Sequence, residues 1–304
     1  MAGRRIAITG GSGFIGTHLI RRLLESGDRV LNIDTRPNPF LEVETEIGDL
    51  RSGSYNWIRE FEPEMVIHLA GLSNHRLCAD GKRAFDANVG ATFDLLSSLQ
   101  SLAEEPVRRI IFMSTVGLYT NDAPVPVPET APLDIFHNNY TMTKGISEKI
   151  CEHFRRNGGL PILTFRLSNI YGPYQSWEGA PNLVAQVCTQ AIREGRIEVW
   201  NRRPVRDWIY AGDAVAGILA GIESDFRGTL NLGTGIGTPE GDLVDRVAKL
   251  TRVDAVDLDL PVIGPNRIVC DITRLKQCLG FSPSVSLDDG LVRTLEYYRR
   301  VVAQ

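Results

Sequence analysis

The sequence predicts an α/β fold in which a doubly wound parallel sheet is followed by a smaller C-terminal region. Short apolar runs alternate with longer segments of helical period from the N-terminus to about residue 170, which is the pattern of successive βαβ units. A glycine-rich turn follows the first apolar run. Beyond residue 172 the elements become shorter, and glycine and proline stand at many of their joints.

The apolar runs predict six strands, and three long amphipathic segments between them predict helices. Four prolines between residues 121 and 133 exclude a helix or a central strand there, so we expect an extended surface loop. The predicted strands are Arg4–Thr9, Arg29–Asp34, Val43–Ile47, Met65–Leu69, Arg108–Met113 and Leu160–Arg166, and the predicted helices are Phe14–Ser26, Ala79–Leu102 and Asn138–Asn157. We expect a first domain over residues 1–172 and a mainly substrate-binding region over residues 173–304, with the chain returning to the sheet around residues 205–235.

Composition and charge exclude several functional classes. The chain of 304 residues carries a net charge of −4, whereas nucleic-acid binding needs clustered positive charge. Its five cysteines form no C-x-x-C pair and no His-rich cluster, so we expect reduced thiols and no metal. No secretory signal and no apolar run of about eighteen residues is present. We therefore expect a cytoplasmic protein without a membrane segment or a nucleic-acid partner.

The glycine-rich turn predicts a site for a dinucleotide. Gly10, Gly13 and Gly16 lie between the first predicted strand and the first predicted helix. Glycines let the backbone turn tightly and approach a pyrophosphate, and the free N–H groups at the start of the helix, at Phe14 and Ile15, attract its negative charge. A purely structural glycine turn is the alternative.

Asp34 ends the second predicted strand, eighteen residues after Gly16. An acidic side chain at this place accepts hydrogen bonds from the adenosine ribose hydroxyls and repels a 2′-phosphate, so it favours NAD over NADP. Arg36 lies close by in the sequence and is the residue type that accommodates a 2′-phosphate. Asp34 taken alone also fits the plain role of a turn residue at a strand end.

Candidate catalytic residues come after the fifth predicted strand and on the helix that follows it. Tyr140 and Lys144 are four residues apart on one predicted helix, so their side chains lie on the same face. A phenol with a pKa near 10 becomes a base at neutral pH only if positive charges stabilise the phenolate. Ser114 and Thr115 stand after the fifth predicted strand, at the edge of the sheet where ligands bind, and offer hydroxyls to a substrate oxygen.

These motifs, in this order, resemble the extended short-chain dehydrogenases/reductases of the NAD-dependent epimerase/dehydratase family. The resemblance covers nearly the whole chain. It extends to Gly48–Leu50, His68–Gly71, Arg166–Pro173, Arg206–Trp208 and Asn231–Gly235. It implies a Rossmann domain that binds NAD, and a homodimer formed by pairing of the helices around residues 79–102 and 138–157.

The resemblance also implies roles for individual residues. Thr115, Tyr140 and Lys144 are the implied catalytic residues. Contacts with the cofactor are implied for Gly10, Gly13, Phe14, Ile15, Gly16, Asp34, Asp49, Leu50, Leu69, Ala70, Gly71, Asn88, Tyr140, Lys144 and Ser168. Contacts with the substrate are implied for Ser114, Thr115, Asn169, Asn182, Leu183 and Arg206, whose guanidinium suits a diphosphate. The plain alternative for Arg206 is a surface arginine paired with Asp207.

The implied activity is that of an NAD-dependent nucleotide-sugar epimerase of the 4-epimerase type, with a transient keto-sugar. The sequence departs from the family pattern at two places. Val116 and Gly117 replace the Asp-Glu pair of the 4,6-dehydratases, and residues 261–266 lack a second arginine that contacts the diphosphate in many epimerases. A net NAD(P)-dependent oxidoreductase acting on a keto-sugar or another alcohol therefore remains an alternative, and a catalytically silent dinucleotide-sensing protein is a remote one.

Overall fold

The structure is a computed structural model that describes residues 3–102, 105–178, 182–262 and 264–302. It consists of two compact units, each made of three segments of chain. The first unit is Met1–Leu118, Leu133–Arg166 and Ile218–Leu230, and the second is Tyr119–Pro132, Leu167–Gly217 and Asn231–Gln304. Residues 119–132 belong to the second unit and residues 218–230 to the first, so the two units are not divided at one point of the chain.

The described residues form strands and helices that alternate along most of the chain. The strands are β1 (Arg5–Thr9), β2 (Arg29–Asp34), β3 (Glu44–Ile47), β4 (Met65–His68), β5 (Arg109–Thr115), β6 (Ile162–Leu167), β7 (Asn169–Tyr171), β8 (Arg196–Val199), β9 (Val205–Tyr210), β10 (Gly228–Leu232), β11 (Gly237–Pro239), β12 (Asp254–Asp257) and β13 (Arg267–Ile268). The α-helices are α1 (Phe14–Glu25), α2 (Trp57–Phe61), α3 (Gly81–Phe85), α4 (Ala91–Leu102), α5 (Asn139–Asn157), α6 (Leu183–Arg193), α7 (Ala211–Glu223), α8 (Glu240–Thr251), α9 (Thr273–Leu279) and α10 (Leu287–Val302).

Seven parallel strands form the central sheet, in the order β10-β6-β5-β4-β1-β2-β3, with helices on both faces. Strands β1, β4, β5 and β6 are apolar along nearly their whole length because both faces of a parallel sheet are covered. The predicted α/β fold is confirmed, and all six predicted strands are present. Strand β5 extends two residues beyond the predicted end at Met113. Ser114 and Thr115, which were expected just after the strand, are therefore its last two residues.

The predicted helix over residues 79–102 is divided into three parts. It begins at Gly81, because the Asp80 side chain accepts a hydrogen bond from Arg83 N and caps the first turn. A π-helical turn (Asp86–Gly90) then joins α3 to α4. A π-turn inserted between α-helices changes which residues face inward, and here it directs Asn88 into the interior, where its side chain is buried.

The second unit has small sheets and its own core. Strand β9 pairs with β7, β11 and β13, and β8 pairs with β12. The proline-rich segment is not the simple surface loop that was expected. Val127 is buried, donates to the Val269 carbonyl at 2.7 Å and accepts from Asp271 N at 2.9 Å. The prolines exclude regular ladder pairing, but Val127 keeps both backbone groups and uses them for this isolated bridge.

The described part of the chain has neither a membrane-spanning helix nor a cluster of metal-binding side chains. No helix within residues 3–102, 105–178, 182–262 and 264–302 is long and apolar enough to cross a membrane. Within the same ranges, no group of three or more His, Cys, Asp or Glu side chains is arranged to hold a metal ion.

A buried ion pair connects helix α5 to the sheet. Arg166 of β6 donates to Glu148 of α5 through Nε at 3.0 Å and through Nη2 at 2.7 Å. Only 8% of each side chain is exposed to solvent. Charged groups at such depth are tolerated when they are paired and hydrogen-bonded. The pair therefore fixes α5, which carries Tyr140 and Lys144, against the strand beside β5.

We expect the substitution Glu148→Gln to lower the free energy of unfolding by about 3–5 kcal/mol, because it leaves the Arg166 charge buried without a counter-ion. Glu152→Gln is the matched control, since Glu152 lies one turn later on α5 and pairs with Arg156 at the surface. The control is expected to cost at most about 1 kcal/mol. Differential scanning calorimetry of both variants measures the effect, and equal melting temperatures would contradict it.

Candidate active site

The glycine-rich turn brings the ends of β1 and β4 into close contact. Gly10 has φ +75° and donates its N–H to the Ile33 carbonyl at 2.8 Å. A Cβ atom at Gly10 would lie 2.6 Å from Ala70 N, and one at Gly16 would lie 2.4 Å from the Gly11 Cα. Conformation and space both exclude a side chain at Gly10, and space excludes one at Gly16. Because these two positions lack side chains, the backbone of the turn can approach a ligand closely.

The first turn of α1 has free N–H groups that fit a pyrophosphate. Gly13 is the N-cap residue, so no side chain caps the helix, and the first turn carries no acidic residue. The amides of Phe14, Ile15 and Gly16 thus belong to an uncapped helix start with its positive dipole end exposed to a ligand. These residues, together with the close packing of Gly10 against Ala70, fit the diphosphate of a dinucleotide.

Asp34 is placed beside this turn by the end of β2. Its Oδ2 accepts from Ser12 N at 3.0 Å and its Oδ1 accepts from Thr35 N at 2.7 Å. The side chain is half-buried, and each carboxylate oxygen keeps acceptor capacity for a further hydrogen bond. The side chain of Arg36 is exposed, while its carbonyl accepts from Ser12 Oγ at 2.7 Å.

Asp49 and Leu50 follow β3, where the resemblance implies contact with the adenine. Asp49 caps a short 3-10 helix (Leu50–Ser52) by accepting from Arg51 N at 2.9 Å. The Arg51 side chain also hydrogen-bonds the carboxylate and lowers the pKa of Asp49. Leu50 is buried in the core beneath. The Asp49 carboxylate therefore already has a partner on the chain, and Arg51 is a neighbour that the sequence analysis did not consider.

Asn88 joins the loop after β4 to helix α5. Its Oδ1 accepts from Leu72 N at 2.7 Å, and its Nδ2 donates to the Leu72 carbonyl at 3.1 Å and to Thr143 Oγ1 at 3.0 Å. A Cβ atom at Gly71 would lie 2.7 Å from Asn88 Oδ1. Both N–H groups of the amide and one lone pair of its oxygen are used by the protein in this arrangement. Asn88 is therefore a positioning residue for Gly71 and α5.

The three implied catalytic residues meet at the end of β5. Tyr140 is half-buried, and the Thr115 side chain lies near enough to lower the pKa of its phenol. Lys144 donates from Nζ to the Met113 carbonyl at 2.9 Å and lies over the Phe112 ring, 5.1 Å from its centroid. A Cβ atom at Gly71 would be 4.0 Å from Lys144 Nζ. Gly71, Asn88, Thr115, Tyr140 and Lys144 thus form one cluster.

The charges in this cluster differ from the simplest expectation. Burial raises the pKa of Tyr140 to about 12, against the opposing effect of the Thr115 hydrogen bond. Burial lowers the pKa of Lys144 to about 8, so at neutral pH the lysine is still mostly protonated. In the chain alone the pKa of the phenol stays high, and a positive charge bound against it, in addition to that of Lys144, would lower this pKa.

Two serines implied as ligand contacts are buried without a partner for the hydroxyl. Ser114 Oγ of the first unit and Ser168 Oγ of the second have no hydrogen bond within the part of the chain that the structure describes. A buried hydroxyl without a partner is costly. Both hydroxyls therefore have capacity for a bound ligand or an ordered water.

In the second unit, Arg206 of β9 is not the partner of Asp207. The Asp207 carboxylate is buried and accepts from Thr234 N at 2.8 Å, Gly235 N at 2.9 Å and Cys270 N at 3.2 Å. Successive residues of a strand point to opposite faces, and Arg206 accordingly turns away and pairs with Glu240, with 3.4 Å between Arg206 Nε and Glu240 Oε1. The alternative of an Arg206–Asp207 surface pair is wrong.

The other implied substrate residues lie at the starts of elements in the second unit. Asn169 begins β7, is half-buried and donates from Nδ2 to the Asp207 carbonyl at 3.4 Å. Asn182 is the exposed N-cap residue of α6 and makes no side-chain capping hydrogen bond. Leu183 is the half-buried first residue of that helix. Both asparagines have amide capacity left for a ligand.

Sequence analysis missed Glu148, Arg166 and Glu240. A signal for the first pair was present: Arg166 interrupts an apolar run, and a charged residue in a buried strand requires a partner. Glu148 lies four residues after Lys144 and hence on the same helix face. No comparable signal identified Glu240, because its contact with Arg206 depends on how the β9, β11 and α8 segments pack.

The chain is similar to known proteins along most of its length. The model of the NAD dependent epimerase/dehydratase family matches residues 6–233. A UDP-glucose 4-epimerase of Mycolicibacterium smegmatis is 28% identical, over 97% of this chain and 98% of that protein. UDP-glucuronic acid decarboxylase 1 of Arabidopsis thaliana is 27% identical, over 97% and 70%. A crystal structure of the Thermotoga maritima UDP-glucose 4-epimerase with UDP-glucose superposes with a TM-score of 0.91 at 28% identity, over 98% and 99% of the chains. The chain belongs to the NAD dependent epimerase/dehydratase family.

Proposed function

We propose that this chain is an NAD-dependent nucleotide-sugar epimerase of the 4-epimerase type, in which a hydroxyl of the sugar is oxidised to a keto group and reduced again. The single observation that carries the proposal is the position of Lys144 at the end of β5, where Nζ donates to the Met113 carbonyl at 2.9 Å, with the Thr115 side chain near enough to Tyr140 to lower the pKa of the phenol. Relatives named as UDP-glucose 4-epimerases at 28% identity support the substrate class.

NAD is the cofactor of this family, and the residues present fit it. The uncapped start of α1 would hold the diphosphate, and the Asp34 carboxylate would accept hydrogen bonds from the adenosine ribose. Ser168 of the second unit, implied as a cofactor contact, has a buried free hydroxyl that is consistent with the role. When bound, NAD supplies the acceptor, and later the donor, of the hydride.

Tyr140 and Thr115 carry the proton chemistry. The phenolate of Tyr140 removes the proton of the sugar hydroxyl, and the Thr115 hydroxyl donates a hydrogen bond to the same oxygen. Lys144 remains protonated and stabilises the phenolate. The keto-sugar then rotates in the site so that its opposite face is reduced, and Tyr140 returns the proton to the oxygen. One stereocentre is inverted, and no net oxidation or reduction occurs.

The residues after Thr115 argue against two other reactions of the family. Elimination of water from the sugar needs an additional acid and base, but Val116 and Gly117 cannot transfer protons. The side chain of Val116 is buried and apolar. This chain likewise lacks the glutamate that related decarboxylases use, although the Arabidopsis decarboxylase is as similar as the epimerases. Epimerisation and simple oxidoreduction are the reactions that the residues support.

A homodimer in the cytoplasm is part of the same proposal. Phe85 of α3 and Phe93 of α4 keep 43% and 48% of their surface exposed, which is unusual for large aromatic side chains unless a partner covers them. These helices are the ones that the family resemblance pairs across a dimer. The five cysteines are all free, as a reducing compartment would keep them.

We expect the substitution Tyr140→Phe to reduce kcat for UDP-glucose at least about 100-fold, because it removes the group that transfers the proton. The NAD content of the purified protein should stay unchanged. Tyr297→Phe in α10 is the control for loss of a tyrosine hydroxyl. Product isomers are quantified by chromatography while absorbance at 340 nm is followed. Lasting NADH formation by the wild type would favour the oxidoreductase alternative, and no reaction with any nucleotide sugar would reject the proposed substrate class.

For Asp34→Asn we expect the ratio of NAD affinity to NADP affinity to fall at least about tenfold, since a hydrogen bond to a charged group contributes roughly 1.5–3 kcal/mol. The amide keeps the shape of the side chain but loses the charge that repels a 2′-phosphate. Glu46→Gln removes an exposed carboxylate from the neighbouring strand β3 and serves as the control. Calorimetric titration of both cofactors provides the ratio, and an unchanged ratio would assign Asp34 to the turn alone.

Sedimentation velocity tests the dimer. We expect the wild type to sediment as a species with twice the 33.7 kDa mass of one chain. The double variant Phe85→Asp, Phe93→Asp is expected to sediment as a monomer, because burying two carboxylates in an interface is costly. Leu24→Asp, at an exposed leucine of α1, is the control. A monomeric wild type, or a double variant that still dimerises, would contradict the assignment.

A further inference from the structure

The guanidinium of Arg206 is largely occupied by groups of its own chain. Nη1 donates to the Pro265 carbonyl at 2.8 Å and to the Val205 carbonyl at 3.2 Å. Nε lies 3.4 Å from Glu240 Oε1. Nη2 has no hydrogen bond to any residue that the structure describes. Only the Nη2 edge is therefore free to bind a ligand without displacing a protein group.

Glu240 and Arg206 form a partly buried pair of opposite charges. Their side chains are 19% and 13% exposed. Burial lowers the pKa of Arg206 and raises the pKa of Glu240, and each partner opposes the shift of the other. Glu240 is also the first residue of α8, where the helix dipole favours a negative charge. A charged Glu240 beside Arg206 leaves the pair without net charge.

The other arginines of this segment are neutralised in the same way. Arg202 pairs with Asp245, and Arg203 pairs with Asp259 at 2.7 Å. The backbone is fixed as well, since Gly241 N donates to the Arg202 carbonyl at 2.9 Å and Glu240 N donates to the Pro204 carbonyl at 2.8 Å. Each positive charge of residues 202–206 thus has a carboxylate beside it. A dianionic ligand meets little uncompensated positive charge here.

We infer that Glu240 is a specificity-determining residue, which competes with the phosphate oxygens of the substrate for Arg206 and so weakens the binding of diphosphate-linked ligands. The inference rests on the proposed function in that a nucleotide sugar brings its diphosphate to Arg206. A diphosphate that binds the guanidinium through both Nη2 and Nε must displace Glu240 or lie against its negative charge. Ligands that need only one hydrogen bond from Nη2 do not incur this repulsion.

The test compares the full-length protein, saturated with NAD, with its Glu240→Gln variant. Calorimetric titration with UDP and with inorganic pyrophosphate measures binding, and UDP-glucose turnover is measured separately. Glu240→Gln is expected to bind both ligands at least about tenfold more tightly, since the repulsion by the carboxylate is lost. Glu240→Val is expected to give the same gain and covers the case in which the glutamine variant folds poorly.

Two controls identify the source of the gain. Asp242→Asn removes an exposed carboxylate two residues later on α8 and should leave both affinities unchanged. Arg206→Gln combined with Glu240→Gln should lose the gain, because Arg206 is the group that is released. Equal or weaker binding by both Glu240 variants would overturn the inference and make Glu240 a support for Arg206.

The outcomes separate this inference from the proposed function. A wild type that epimerises UDP-glucose, with Glu240 variants that gain no affinity, rejects the role of Glu240 alone. Glu240 variants that gain pyrophosphate affinity, with no variant active on UDP-glucose, reject the proposed substrate and retain the role of Glu240.

Discussion

The fixed position of helix α5 on the central sheet is the constraint on which the candidate chemistry depends. Three polar contacts hold its inner face: Lys144 Nζ to the Met113 carbonyl at 2.9 Å, Ser147 Oγ to the Asn88 carbonyl at 2.8 Å, and the Glu148–Arg166 pair. Apolar packing allows a helix to slide or rotate slightly, whereas hydrogen bonds between buried groups specify one register. Proton transfer between Tyr140 and a substrate oxygen tolerates little misplacement.

Burial in this cluster has two opposite consequences. The same low-polarity surroundings that strengthen the contacts of α5 also raise the pKa of Tyr140 and lower the pKa of Lys144. In the protein alone the phenol is therefore a weak acid. A positive charge bound against the phenol would lower this pKa again.

Much of the first unit could be predicted from sequence because its signals are local. Apolar runs, the glycine turn and the four-residue spacing of Tyr140 and Lys144 each depend on short-range geometry. The Val127–Cys270 bridge and the place of residues 119–132 in the second unit were not predicted, since they join segments far apart in sequence. The Arg206–Glu240 pair was not predicted for the same reason. The alternative considered was a pair of Arg206 with its neighbour in sequence, Asp207, but successive side chains of a strand point to opposite faces.

One departure from the family pattern, segment 261–266, lies in the second unit, and the other, Val116 and Gly117, follows Thr115 in the first. Thr115, Tyr140, Lys144 and the glycine turn match the family pattern. Segment 261–266 supplies the Pro265 carbonyl to Arg206 where many relatives have a further arginine, and Glu240 adds a negative charge to the same guanidinium. A carbonyl and a carboxylate of the chain itself therefore already contact Arg206. Because one fold serves many ligands, the groups around this guanidinium, and not the fold, decide how strongly it attracts an anion.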